Sequence, residues 1–154
     1  FKKDEATVIE ISGAYKRYHC PMARTVFLGK EDQQKLDVMN KTIEALEEGK
    51  SAIKAGVTAD SVAQTFWKVL DKYNIKKDSR TGYSIGAGFP PDWGERTVNI
   101  SKGDPTVLQT NCTLHMIAVM QMGDWGVEVS EAMRVTDDGF EAFCNFPKEL
   151  VFKN

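Results

Sequence analysis

An α+β domain is what this sequence predicts. Runs of β-branched and aromatic residues open the chain, two amphipathic helical stripes follow, and the second half returns to short apolar runs between glycine- and proline-rich turns. From Ala6 to Gly29 the runs Thr7-Val8-Ile9-Glu10-Ile11-Ser12 and Arg24-Thr25-Val26-Phe27-Leu28, with Tyr15 and Tyr18 between, predict three strands in a meander. The turns are expected near Gly13 and near Cys20-Pro21. Leu36, Met39, Ile43, Leu46 and Ile53 draw one stripe down a helix between Glu31 and Ile53. Its other face, with Lys41, Glu44, Glu47, Glu48 and Lys50, is expected to meet solvent. After Gly56, Thr58 or Asp60 can cap a second helix with the stripe Val62, Phe66, Val69, Leu70 and Tyr73, stopping near Asn74. Strands are then predicted within Cys112 to Met120, Trp125 to Val129 and Met133 to Val135, closed by the turn signal Asp137-Asp138-Gly139.

Composition narrows the function classes. At 154 residues, 42% apolar and 27% charged, the chain has the make-up of one globular domain. At this length folding buries roughly 70% of the unfolded surface, enough for a core without disulfides or structural metal. Twenty basic against twenty-two acidic side chains give a net charge of -2 with no basic block, so nucleic acid is not an expected partner. No run approaches the ~20 apolar residues of a membrane span, and Phe1-Lys2-Lys3-Asp4-Glu5 lacks a signal-peptide core. Cys20, Cys112 and Cys144 are odd in number and widely spaced. They read as free thiols of a reducing, cytoplasmic compartment.

Few segments carry chemistry by spacing alone. Gly82-Tyr83-Ser84-Ile85-Gly86-Ala87-Gly88 lacks the Lys-Ser/Thr of a P-loop and precedes prolines rather than a helix, so its glycines read as backbone bends. Pro90-Pro91-Asp92-Trp93-Gly94-Glu95-Arg96 gathers two carboxylates, an indole and a guanidinium into a stiff loop. The plainer alternative is that Asp92 and Glu95 only pair with Arg96 or cap turns. Glu10, between Ile9 and Ile11, faces either solvent or a cavity, and His115, between Leu114 and Met116, has the setting of a core histidine.

Several of these segments, taken in order, resemble the catalytic domain of the pita-bread family, which contains methionine aminopeptidase, prolidase, aminopeptidase P and creatinase. The resemblance rests on Glu10, Arg24-Thr25, Gly82-Tyr83-Ser84-Ile85-Gly86 and Ser130 to Gly139. It implies a partial pita-bread fold over residues 1–154: a curved antiparallel sheet with helices on its outer face. The family's first helices and separate N-terminal domain have no counterpart here, so a C-terminal fragment is expected, active as a full-length homodimer. Family metallopeptidases bind two metal ions through two Asp, one His and two Glu. Those positions fall on Glu10, Pro21, Tyr83, about Ile117 and Ser130, with Glu131 adjacent, and a further catalytic histidine falls on Pro90. One carboxylate in that set implies no metal and no other cofactor.

A metal-free branch, the ectoine hydrolases, is similar in more detail. The shared residues are Arg17-Tyr18-His19-Cys20-Pro21, Ala23-Arg24-Thr25, Gly82-Tyr83-Ser84-Ile85-Gly86, Pro90 to Thr97, Leu108, Asn111, His115, Asp124-Trp125-Gly126 and Ser130-Glu131. That similarity implies a small-molecule substrate, a cyclic amidine opened to an N-acetylated diaminobutyrate. It gives Glu10 as nucleophile or base, Tyr83 and His115 as proton donors or relays, and Glu95 as a second carboxylate. Trp93, Arg96 and Asp92 become substrate-binding residues, with Arg96 facing Glu95 or a substrate carboxylate. The alternatives are a pita-bread domain that only binds, or a proline-directed metallopeptidase if the ligand register differs.

Overall fold

The computed structural model describes residues 1–89 and 92–153. Strands β1 (Ala6–Tyr15) and β2 (Tyr18–Leu28) precede helices α1 (Gln33–Ser51) and α2 (Ala59–Lys72). Then come β3 (Gly82–Phe89), β4 (Asp92–Ile100), β5 (Thr113–Gln121), β6 (Gly126–Val135), β7 (Phe140–Ala142) and β8 (Val151–Lys153). All eight strands join one sheet, ordered β1-β2-β3-β5-β6-β7, with β4 beside β3 and β8 parallel to β2. Apart from β8 the pairings are antiparallel, and the helices cover one face, as the α+β reading requires.

The opening meander is a single hairpin. Its strands pair without interruption from Ala6↔Phe27 to Tyr15↔Tyr18. The turn is Lys16-Arg17, both at positive φ (48° and 72°), the backbone of a two-residue type I′ turn. Gly13 and Cys20-Pro21, where turns were expected, are ordinary ladder positions. Pro21 is tolerated because it costs only one N–H. The predicted pieces Trp125 to Val129 and Met133 to Val135 likewise merge, from Gly126 onward, into one strand, β6, and the glycines of Gly82–Gly88 run inside β3. The expected stiff loop is strand β4 from Asp92 onward, while Pro90 and Pro91 lie outside the described residues.

Helix α1 begins at Asp32, whose carboxylate accepts from Lys35 N, and α2 at Thr58, whose hydroxyl accepts from Ser61 N. The stripes Met39–Leu46 and Val62–Phe66–Leu70 are buried against Leu114, Met116, Met120 and Met133. Alternation along β5 and β6 sends those residues to the helix side, each such burial contributing about 1.5–3 kcal/mol. Lys50, read as part of a solvated face, is instead 3% exposed and paired with buried Glu131. No helix is long and apolar enough to cross a membrane among the described residues.

Strands β2 and β6 run side by side, and side chains bridge them in place of a ladder. Thr25 Oγ1 donates to Glu128 O and accepts from Glu128 N, both at 2.8 Å. Ala23 N donates to Ser130 Oγ at 2.7 Å. These bonds hold the hairpin against the rest of the sheet and bring β1 toward β6 across the small residues of β2.

Candidate active site on the inner face of the sheet

Residues of opposite parity to the core face away from the helices. On β5 and β6 these are His115, Ile117, Val119, Glu128, Ser130 and Ala132, paired His115↔Ala132, Ile117↔Ser130 and Val119↔Glu128. Tyr83 lies beside His115 across β3 and β5. Glu10 pairs with Ala23, whose amide reaches Ser130. One surface therefore carries Glu10, Tyr83, His115, Glu128 and Ser130, with Trp93 over it from β4.

A hydrogen-bonded chain runs through this surface. Ser130 Oγ lies 2.7 Å from His115 Nε2, His115 Nδ1 lies 2.9 Å from Tyr83 Oη, and Trp93 Nε1 donates to Tyr83 Oη at 2.8 Å. His115 is fully buried, and that burial, with the nearby Arg80 charge, pushes its pKa down to about 3; the ring is neutral. Ser130 is also fully buried, so its proton needs an acceptor, and with Ala23 N–H already donating to it, that acceptor is His115 Nε2. His115 then donates from Nδ1 to Tyr83. Tyr83 Oη accepts two bonds and keeps its own proton free to give to a group on the inner face.

Electrostatics set the protonation states. Burial raises the Tyr83 pKa above its ordinary value, and the charges of Glu10 and Glu128 raise it further against the Trp93 hydrogen bond and Arg80. The phenol is thus a proton donor at neutral pH. The Glu10 carboxyl is pushed up by partial desolvation. Glu128 is pushed up to about 7 by burial and by Glu10, opposed by Lys77, whose own pKa falls to about 8 through burial.

Of the residues singled out from sequence, Glu10, Tyr83, Trp93 and His115 converge. Asp92, Glu95 and Arg96 lie on exposed positions of β4. Arg96 pairs with Asp92 at 2.6 Å rather than with Glu95, and Asp92 also accepts from Gly94 N, so these two satisfy each other. The Glu95 carboxylate folds over Gly86, where an added β-carbon would have to push it aside. Glu131, adjacent to Ser130, points to the helix side and pairs with Lys50 and Lys148. Sequence reasoning missed Glu128, although Val127-Glu128-Val129 repeats the pattern of Ile9-Glu10-Ile11. The partnership of Ser130 with His115 had no sequence signal, because it joins different strands.

The donor set does not fit a two-metal centre. Pro21 and Ile117 offer no ligand atom, while the Tyr83 and Ser130 oxygens are engaged in the wall. Among the described residues no three His, Cys, Asp or Glu side chains converge on a common point.

The comparisons agree with this architecture. The chain is 37% identical to the ectoine hydrolase of Halomonas elongata over 99% of its length, covering 39% of that protein. An X-Pro aminopeptidase from Thermotoga maritima superimposes with a TM-score of 0.91 at 19% identity, over 99% of this chain and 42% of that one. Dipeptidase PepE from Mycobacterium ulcerans does so with a TM-score of 0.89 at 23% identity, over 98% and 40%. The chain thus spans about two-fifths of these relatives, as a partial pita-bread domain. The model of metallopeptidase family M24 matches residues 1–137, and the chain belongs to that family.

Proposed function

We propose that this chain is the C-terminal catalytic portion of a longer, metal-independent hydrolase that opens a cyclic amidine such as ectoine to N-acetyl-2,4-diaminobutyrate. The observation that carries the reading is the Ser130–His115–Tyr83–Trp93 chain on a face whose donor set suits organic acid–base chemistry better than metal binding. The relative named ectoine hydrolase supports the substrate class.

An amidine is protonated near neutral pH, so its central carbon is electrophilic and its ring nitrogens bear hydrogen. Glu10 attacks that carbon, or takes a proton from the water that does so. The tetrahedral centre collapses with cleavage of one ring C–N bond. Tyr83 supplies a proton to the departing nitrogen, and His115 holds the phenol in position. If Glu10 has attacked directly, the imidoyl group it then carries is released by water as the amide. The sum is one water consumed, one amide and one amine formed. Trp93 stacks against the delocalised cation. Glu95 is the second carboxylate, and Asp92 and Arg96 border the substrate on the exposed side. The working species is proposed to be a cytoplasmic homodimer of the longer protein.

The deciding experiment incubates chelator-treated full-length protein with ectoine and follows ring opening by mass. A product heavier by one water that persists after chelation is expected. Activity restored only by manganese or cobalt, on a proline dipeptide, would establish a metallopeptidase instead; ligand binding without turnover would establish a binding domain.

A further inference from the structure

Glu128 is the inner-face residue that the proposed chemistry leaves without a task. It sits in β6 opposite Val119, half-buried, and its backbone is pinned on both sides of the peptide by Thr25 Oγ1. Its carboxyl makes no hydrogen bond among the described residues, although a half-buried carboxylate without donors is costly. Across β2 stands Glu10, the other inner-face carboxylate, and only Ala23 and Thr25 separate the two rows. Both intervening side chains are short, and the Thr25 hydroxyl is committed to the Glu128 backbone. No cation from β2 can stand between the two carboxylates.

Two cations act on this face, and each has partners of its own. Lys77 lies nearest to Glu128 in charge, but its ammonium donates to Ser79 Oγ at 2.6 Å and faces Val119 O at 3.4 Å. Arg80 stacks on the Tyr83 ring, 4.2 Å from its centroid, and donates to Asn99 Oδ1. Two carboxyl groups held on one concave surface with an aromatic wall beside them make a site for a planar, delocalised cation with N–H groups on two edges, whose charge favours the ionised form of both.

We propose that Glu128 and Glu10 together recognise the positive charge of an amidinium ligand, Glu128 accepting from one N–H edge while Glu10 faces the central carbon. This inference rests on the amidine hydrolase reading for the identity of the ligand. It assigns Glu128 to binding and specificity: cations are taken, and neutral amides of the same shape are not.

The test titrates the full-length protein with acetamidinium chloride and, separately, with neutral acetamide, following the indole N–H resonances by NMR. Glu128→Gln is expected to weaken acetamidinium binding by about tenfold or more while leaving the weak acetamide response unchanged. Glu128→Asp, which keeps the charge, should fall between. In turnover of a cyclic amidine, Glu128→Gln should raise KM by a larger factor than it lowers kcat. Equal acetamidinium affinity in wild type and a folded Glu128→Gln variant would overturn the proposal, as would a loss confined to kcat. Glu128-dependent acetamidinium binding without ring opening would uphold this cation site while removing the hydrolase reading.

Discussion

His115 Nδ1 lies 2.9 Å from Tyr83 Oη, and both side chains are buried in the inner wall of the sheet. The neutral imidazole fixes where the phenol stands and leaves the phenolic proton available. Replacing it by Phe keeps an aromatic ring, slightly larger, but removes both bonds, so Ser130 loses its acceptor. His115→Phe should lower stability by about 1–3 kcal/mol and kcat by about 10–1000-fold. Thermal melts and single-turnover assays measured together check this.

The same histidine sets a pH dependence of stability. Its folded pKa, about 3, lies below the ordinary value of 6.5, so between those limits the unfolded chain binds the extra proton. The contribution of neutral His115 is therefore complete above about pH 6.5 and shrinks as pH falls toward 3. The difference in Tm between wild type and His115→Phe should narrow steadily over that interval. A constant difference would mean that His115 takes up its proton in the folded protein at the same pH as in the unfolded chain.

Glu10 lies exposed on edge strand β1, and its carboxyl makes no hydrogen bond among the described residues. Glu10→Gln should leave Tm within about 1 °C of wild type while turnover falls by about 100-fold or more, the usual scale for losing a positioned base or nucleophile. Wild-type rates in that variant would shift the role to Glu95.

Gly86 provides a separate handle on Glu95. A methyl group there displaces the Glu95 carboxylate, which is the free end of a flexible side chain. Gly86→Ala should thus leave thermal stability within about 1 kcal/mol of wild type. Ring-opening rates in this variant should fall if Glu95 assists the reaction and remain at the wild-type level if it does not.

Glu131 is 1% exposed and meets Lys50, itself 3% exposed, and Lys148. Glu131→Gln leaves Lys50 and Lys148 with Glu47 as their remaining carboxylate partner, and losing the charged bonds to Glu131 costs about 1.5–3 kcal/mol. A large fall in denaturation midpoint is expected, with kcat of the remaining folded protein unchanged because this cluster lies on the helix side.

Much of the architecture was legible in order along the chain. The stripes Met39–Leu46 and Val62–Phe66–Leu70 announced both helices because helical period and burial reinforce each other locally. The hairpin turn at Lys16-Arg17 was not legible, since neither residue is a typical turn former and the pairing of ten successive residues imposes the positive φ values. Lys50 was misread because its local pattern is that of a solvated residue. Its burial is decided by Glu131, from a strand 81 positions away.

By itself, the sequence determined that two helices and a set of strands form one α+β domain, and that Glu10 and His115 stand within β-strand patterns. Only the tertiary structure decided which side each strand residue faces, and thus that Glu128 joins Glu10 while Glu131 turns to the core. The reason is physical: alternation within a strand fixes relative sides, but the absolute side is chosen by where the helices dock and by which register the Thr25 and Ser130 hydroxyls hold between β2 and β6.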